Sequence, residues 1–156
     1  MQESRIEQTI ERRKKGYNCA QAVACTYCDL VGLDEQTMFR LTEGLGAGMG
    51  NMEGTCGAVA GACVLAGMAK STGNLERPDS KVETGKLSRQ IMDSFLERNS
   101  AVTCKELKGM ETGEMLRACP DCIFLISRKF LFEPFPRNQK GILKDRMQDA
   151  NERVRK

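Results

Sequence analysis

The chain has 156 residues and a mass of 17.3 kDa, enough for one domain with a real core and too little for two comfortable ones. Hydrophobic residues at 40% and charged residues at 29% exclude a disordered chain, while a net charge of +3 and 5% aromatics argue against a nucleic-acid partner. Eight Cys and no His exclude Ser–His and Cys–His nucleophile systems and the C-x-x-C-H haem attachment sequence, so a transition-metal site must rest on thiolates.

The elements read as helices from end to end. Ile6 and Ile10 stand one turn apart in a charged first segment that ends near Gly16, and Asn18 opens a second helix running through Val31 to a stop at Gly32. Asp34 caps a third, with Leu33 and Met38 placed as a hydrophobic staple. A glycine-rich loop, Gly44 to Gly54, precedes an Ala/Gly-rich helix from Cys56 to about Lys70. Ser80-Lys-Val-Glu83 has the form of a capping box before a helix carrying Leu87, Ile91 and Phe95. Short helices follow Thr103 and Cys119-Pro120, and residues 137–156 form a basic amphipathic helix with Leu143, Met147, Ala150 and Val154 on one face. The expected fold is all-α: a single helical domain over 1–156, a compact bundle of about six helices with the glycine-rich loop before the central helix. Gly57, Ala60, Gly61, Ala62 and Gly67 give that central helix little bulk, so its neighbours can approach closely.

The first residues carry no secretory or transit signal and no segment is long and apolar enough to span a bilayer, which points to a cytoplasmic protein without membrane insertion. In that reducing compartment eight Cys are core residues, metal ligands or redox centres rather than four structural disulfides. The stripe on the last helix and the Phe124, Phe130, Phe132, Phe135 cluster are candidate surfaces for a homodimer.

The glycine-rich loop is not a nucleotide loop. The pattern G-x-G-x-x-G begun at Gly46 meets Asn51 where Gly is needed, begun at Gly48 it meets Glu53, and no G-K-[ST] follows. Glycines so spaced bring backbone N–H groups close to another object, and Gly46, Gly48, Gly50, Gly54 and Gly57 are the candidates to lie against a bound anion or metal–sulfur cluster.

Position within the helices sorts the thiols. Cys19, Cys56, Cys104 and Cys119 fall at helix starts, Cys104 inside a Thr103-Cys-Lys-Glu106 capping box, where the helix dipole and free N–H groups favour thiolate. Cys25, Cys28, Cys63 and Cys122 fall inside helices, where a free Cys is usually a buried, protonated apolar residue. Cys25-x-x-Cys28 and Cys119-x-x-Cys122 make a zinc candidate, although their separation far exceeds that of compact zinc ribbons. Cys19 and Cys25, six residues apart on one helix, lie about 9 Å and roughly 120° apart and should not share a small site. Cys19, Cys56, Cys104 and Cys119 are therefore the preferred metal ligands, with Cys122 one turn from Cys119 as a substitute or resolving thiol.

The elements Gly16-Tyr-Asn-Cys19-Ala-Gln-Ala, Gly48-Met-Gly50, Thr55-Cys56-Gly57-Ala58-Val-Ala-Gly61-Ala, Cys104-Lys-Glu-Leu107 and Cys119 resemble the redox-active family defined by four spaced Cys and a C-G-A-x-x-G centre. The resemblance covers roughly residues 16–122 and implies a small helical redox protein with those four Cys as its defining residues. A similar domain in split-Soret cytochromes accompanies an iron–sulfur centre beside haem; with no His, the haem part does not carry over. The reading placed first is a cytoplasmic redox protein with a [2Fe–2S] or [4Fe–4S] cluster on Cys19, Cys56, Cys104 and Cys119, for electron transfer to an unidentified redox partner or for redox sensing. A metal-free thiol–disulfide protein comes second, and a structural interaction domain with zinc on four thiolates third. No acid–base pair or nucleophile–base constellation of a classical enzyme is visible.

Overall fold

A computed structural model describes residues 5–129. Its interior is organised on helix α2 (Cys19–Thr26), every residue of which is buried. Asn18 and Gln21 close the reciprocal capping box at its start, each side chain bonded to the other residue's backbone N–H at 3.0 Å. The helix ends earlier than the sequence pattern suggests. The Thr26 hydroxyl donates back to the Ala22 carbonyl at 2.7 Å and Tyr27 leaves helical geometry at φ −118°. A 3-10 turn, Cys28–Val31, then buries Cys28 and Val31 beside Tyr27 before Gly32 stops it at φ +74°.

Helix α1 (Ile6–Lys14) lies against α2. Its expected Ile6/Ile10 face is displaced: Thr9 is the buried residue and Ile10 is exposed. The Thr9 hydroxyl donates to the Arg5 carbonyl at 3.0 Å, so the side chain enters the core with its polar atom satisfied. Arg5 meanwhile pairs with Asp29 (Nη2–Oδ2 3.0 Å) and closes the segment over the 3-10 turn. Helix α3 (Glu35–Thr42) starts as expected, the Asp34 carboxylate accepting from the Thr37 N–H at 2.8 Å.

Helix α4 (Gly57–Lys70) packs between α2 and α5 (Lys81–Asn99), which faces it with Leu87, Ile91 and Phe95. The close approach predicted from small residues occurs at Gly61, where a Cβ would stand 2.7 Å from the Ala20 carbonyl oxygen. It does not extend to Gly67, which has open space around it. Helix α6 (Cys104–Lys108) is a short turn, and α7 (Cys119–Lys129) brings Cys122, Ile123 and Ile126 onto α1, α2 and α4.

Two expected caps are absent. Ser80 is in helical geometry, and its hydroxyl accepts from the Thr72 N–H at 3.1 Å instead of capping α5. Thr103 makes no side-chain cap, because backbone carbonyls take the N–H groups of α6: Cys104 N–H donates to Gly54 at 2.9 Å and Lys105 N–H to Met52 at 2.9 Å. The fold is all-α, seven helices with no strand among the described residues beyond one isolated antiparallel bridge, Thr55 to Thr103. No helix among them is long and apolar enough to cross a membrane. The basic helix expected over 137–156 and Phe130, Phe132 and Phe135 lie outside the described residues; Phe124, the described member of that cluster, is exposed.

Candidate functional site

Four separate helix starts deliver their thiols to one end of the bundle. Cys19 opens α2, Cys56 is the residue that caps α4, Cys104 opens α6 and Cys119 opens α7. The Thr55–Thr103 bridge sets two of them side by side, with Cys56 N–H donating to the Val102 carbonyl at 2.7 Å on one side and Cys104 N–H to Gly54 on the other. The Cys19 sulfur lies in the space that a side chain at Gly57 would fill.

The glycine-rich loop wraps this end. Its turn is left-handed, with Ala47 at φ 51°, Gly48 at φ 58° and Met49 at φ 63°. Such backbone costs a non-glycine residue about 1–2 kcal/mol. Three bonds hold it: Gly50 N–H to Gly46 O at 3.0 Å, Met52 N–H to Ala47 O at 2.9 Å and Gly54 N–H to Gly48 O at 3.0 Å. Lys105 of α6 fastens the loop through Glu53 at 3.0 Å and also pairs with Glu111, just beyond its own helix, at 3.1 Å. Of the five glycines expected to face a cofactor, Gly46 abuts the Asn18 amide, Gly48 abuts Cys104 and Gly54, and Gly57 abuts Cys19. Their small size serves the close packing of the loop and the cysteines first. Gly50 stands in open space.

Electrostatics ties the thiols into one group. Burial raises the Cys19 thiol above its ordinary range, a hydrogen bond from the Ala47 N–H opposes it, and the sulfurs of Cys56 and Cys119 add to the rise. Burial likewise raises Cys104, against the positive charge of Lys108 and with the sulfurs of Cys119, Cys56 and Cys19. Cys56 goes the other way. The Cys122 thiol donates to its sulfur, the N–H groups of Ala58 and Val59 at the start of α4 point at it, and Lys108 is near; against burial, these hold it at about 7. The lowering at Cys56 is due first to Cys122, with the N–H groups of the helix start adding to it, and at Cys19 and Cys104 burial outweighs the helix terminus.

Cys122 is a fifth member. Its hydrogen bond to Cys56, then burial, then the sulfurs of Cys56 and Cys119 keep it protonated far above the usual thiol range. Its spacing from Cys119 is the sequence signal that places it there. Cys25 and Cys28 are elsewhere, at the far end of α2, where the Cys25 thiol faces the Glu35 carbonyl at 3.8 Å and the Cys28 thiol donates to the Cys25 carbonyl at 3.2 Å. Burial pushes Cys25 up to about 12 and raises Cys28 and Cys63. The two C-x-x-C pairs do not act on one another: the strongest charges on Cys25 and Cys28 come from each other's neighbourhood (Asp29, Glu35, Arg12), those on Cys122 from Cys56 and Cys119. All eight cysteines are free thiols. Among the described residues, no three Cys, Asp or Glu side chains are grouped closely enough to hold a single metal ion.

The order of these cysteines along the chain matches a family model described as "Putative redox-active protein (C_GCAxxG_C_C)" over residues 17–130. The chain belongs to this family. No curated protein and no solved structure matches the chain.

Proposed function

We propose that the protein carries an iron–sulfur cluster on Cys19, Cys56, Cys104 and Cys119 and works in one-electron transfer or redox sensing with a separate redox partner. The observation that carries the reading is the convergence of four thiols from four helix starts inside a loop that already aims one N–H, that of Ala47, at a cysteine sulfur. The donor set fits such a group: thiols alone, largely buried, with a neighbouring Lys108 to offset negative charge. A single zinc ion with Zn–S bonds of about 2.3 Å would need its four sulfurs within about 4 Å of one another.

When bound, the cluster would supply a reversible one-electron couple. The chain's own contribution is to exclude water from three of the four sulfurs, to leave Cys119 partly exposed toward a partner, and to donate the Ala47 N–H, which favours the reduced state. Free thiols in such number fit the reducing interior of a cell.

Protein purified without oxygen should be coloured and contain iron with acid-labile sulfide in equal amounts, about two of each for [2Fe–2S] or about four for [4Fe–4S]. Zinc without sulfide, or no metal in protein that is folded and fully reduced, would overturn the reading.

A further inference from the structure

Among the described residues, four enclosed side-chain N or O atoms lack a hydrogen-bond partner: Thr84 Oγ1, Asn99 Oδ1, Ser127 Oγ and Arg117 Nε. Three belong to neutral groups. The fourth is a charged donor, for which burial without an acceptor costs most. Arg117 is half-buried, and it pairs with no described Asp or Glu although Glu114 and Asp121, both exposed, lie within four residues of it. Lys105, by contrast, has its charge taken up by Glu53 at 3.0 Å and Glu111 at 3.1 Å. The backbone fixes where the Arg117 donor stands. The N–H groups of Leu116 and Arg117 both donate to the Leu107 carbonyl, at 2.9 and 3.0 Å. Leu107 lies three residues beyond Cys104 on α6, and Arg117 lies two residues before Cys119 at the start of α7. The residue is thus tied between two of the four proposed ligands.

We propose that Arg117 is the charged donor of the cluster site: its Nε–H takes a cluster sulfur as acceptor and favours the reduced state. The inference rests on the cluster reading above and extends it to a residue outside the thiols.

A buried N–H without an acceptor calls for a group that the site has yet to receive. Arg117 is suited to an anionic one, because it keeps its charge at every accessible pH. A cluster on four thiolates is such a group, and each electron it accepts adds negative charge. A charge-assisted hydrogen bond is about twice as strong as a neutral one and strengthens with that charge, so it shifts the couple toward reduction. The backbone donor of Ala47 acts in the same direction on the Cys19 side. Arg117 adds a full positive charge beside Cys119, and that charge also favours thiolate at Cys122 against burial and the neighbouring sulfurs.

Two measurements on the full chain test the role. In metal-free, reduced protein, Arg117→Met should leave the denaturant midpoint unchanged or higher, because it removes a buried donor that has no acceptor. A clear fall would mean that the protein itself satisfies Arg117, and would overturn the inference. In protein loaded with ferrous iron and sulfide, potentiometric titration compares the unaltered chain with Arg117→Met, Arg117→Lys and Lys105→Gln at equal iron per chain. At the midpoint of the unaltered chain, Arg117→Met should lower the ratio of reduced to oxidised cluster about tenfold, which is about 59 mV for a one-electron couple. Arg117→Lys keeps the charge without the Nε–H and should recover only part of that loss. Lys105→Gln removes a charge that is already paired and should move the midpoint much less. Full recovery in Arg117→Lys, or equal shifts for Arg117→Met and Lys105→Gln, would assign the effect to charge alone and overturn the hydrogen bond. A loaded Arg117→Met variant with an unmoved midpoint defeats this inference and leaves the cluster reading standing. An unaltered chain that assembles no cluster defeats both.

Discussion

Helix α2 has cysteines at both ends, and the two ends treat sulfur in opposite ways. At its start, Cys19 receives the Ala47 N–H; at its finish, Cys25 and Cys28 face the carbonyls of Glu35 and Cys25. The donor at the first end comes from the loop and the acceptors at the second from Glu35, which opens α3, and from Cys25 itself, so the first surroundings favour an anionic sulfur more than the second do. Both ends are buried, and burial raises the thiols at both. What separates them is the company. The loop end gathers four more sulfurs with Lys108, whereas the other end has Glu35, Asp29 and Arg12 beside a C-x-x-C pair. The same residue type at C-x-x-C spacing thus sits in a group of five thiols at one end of the bundle and beside Glu35, Asp29 and Arg12 at the other.

The sharpest break of that comparison is the metal content of single variants. Cys19→Ser, Cys56→Ser, Cys104→Ser and Cys119→Ser should each lose most of their iron, whereas Cys25→Ala and Cys28→Ala should keep the level of the unaltered protein. Iron lost on replacing Cys25 or Cys28 in a folded variant would make the ends equivalent. The pH at which each sulfur becomes reactive is the next test. In metal-free protein, alkylation of Cys56 should rise through a midpoint near the value of about 7, since a thiol is unreactive until it loses its proton as pH increases. Cys25, at about 12, should not show such a rise below pH 10.

Two helix glycines extend the comparison to packing. Gly61→Leu forces side-chain atoms into the Ala20 backbone and should lower stability by about 1–3 kcal/mol or more, read from the denaturant midpoint. Gly67→Ala, in open space near the other end of α4, should raise it by about 0.5–1 kcal/mol. The smallest effect concerns Glu35, whose carboxylate binds Arg12 at 2.9 Å and the Tyr17 hydroxyl at 2.9 Å beside Cys25. Arg12 holds its pKa below the usual 4.5, so the stability it contributes is complete above that value and vanishes as pH falls through the lower folded value. The group is largely solvent-exposed, so Glu35→Gln should cost under about 1 kcal/mol at pH 7, and the difference between variant and parent should close in acid.

Much of this arrangement is legible in the sequence because it depends on local rules. Asn18 with Gln21 and Asp34 with Thr37 cap their helices as their spacing implies, and the helix starts of Cys19, Cys56, Cys104 and Cys119 follow from residues near them. What is not legible depends on partners distant in the chain. Thr103 loses its capping role because carbonyls of residues 52 and 54 reach its helix first, and Ser80 loses its own to the N–H of Thr72. The thiolate bias at helix starts is a local argument, and at Cys19 and Cys104 tertiary burial overrides it. Cys122 is ambiguous in sequence for the same reason. Its place inside a helix marks it as core, which it is, but only the packing of α7 on α4 brings it toward Cys56.

The isolated bridge between Thr55 and Thr103 has a bearing on when the site comes into being. Its sulfurs are drawn from residue 19 to residue 122, and the bridge itself joins segments separated by two whole helices. Closing so long a stretch of chain is among the slower steps of folding. During synthesis from the N-terminus, Cys19 and Cys56 emerge well before Cys104 and Cys119, so the nascent chain holds half a site until the ribosome has released most of the domain. A cluster of the kind proposed, delivered early, would find two thiols without their partners, so its insertion would belong after the last helix has docked.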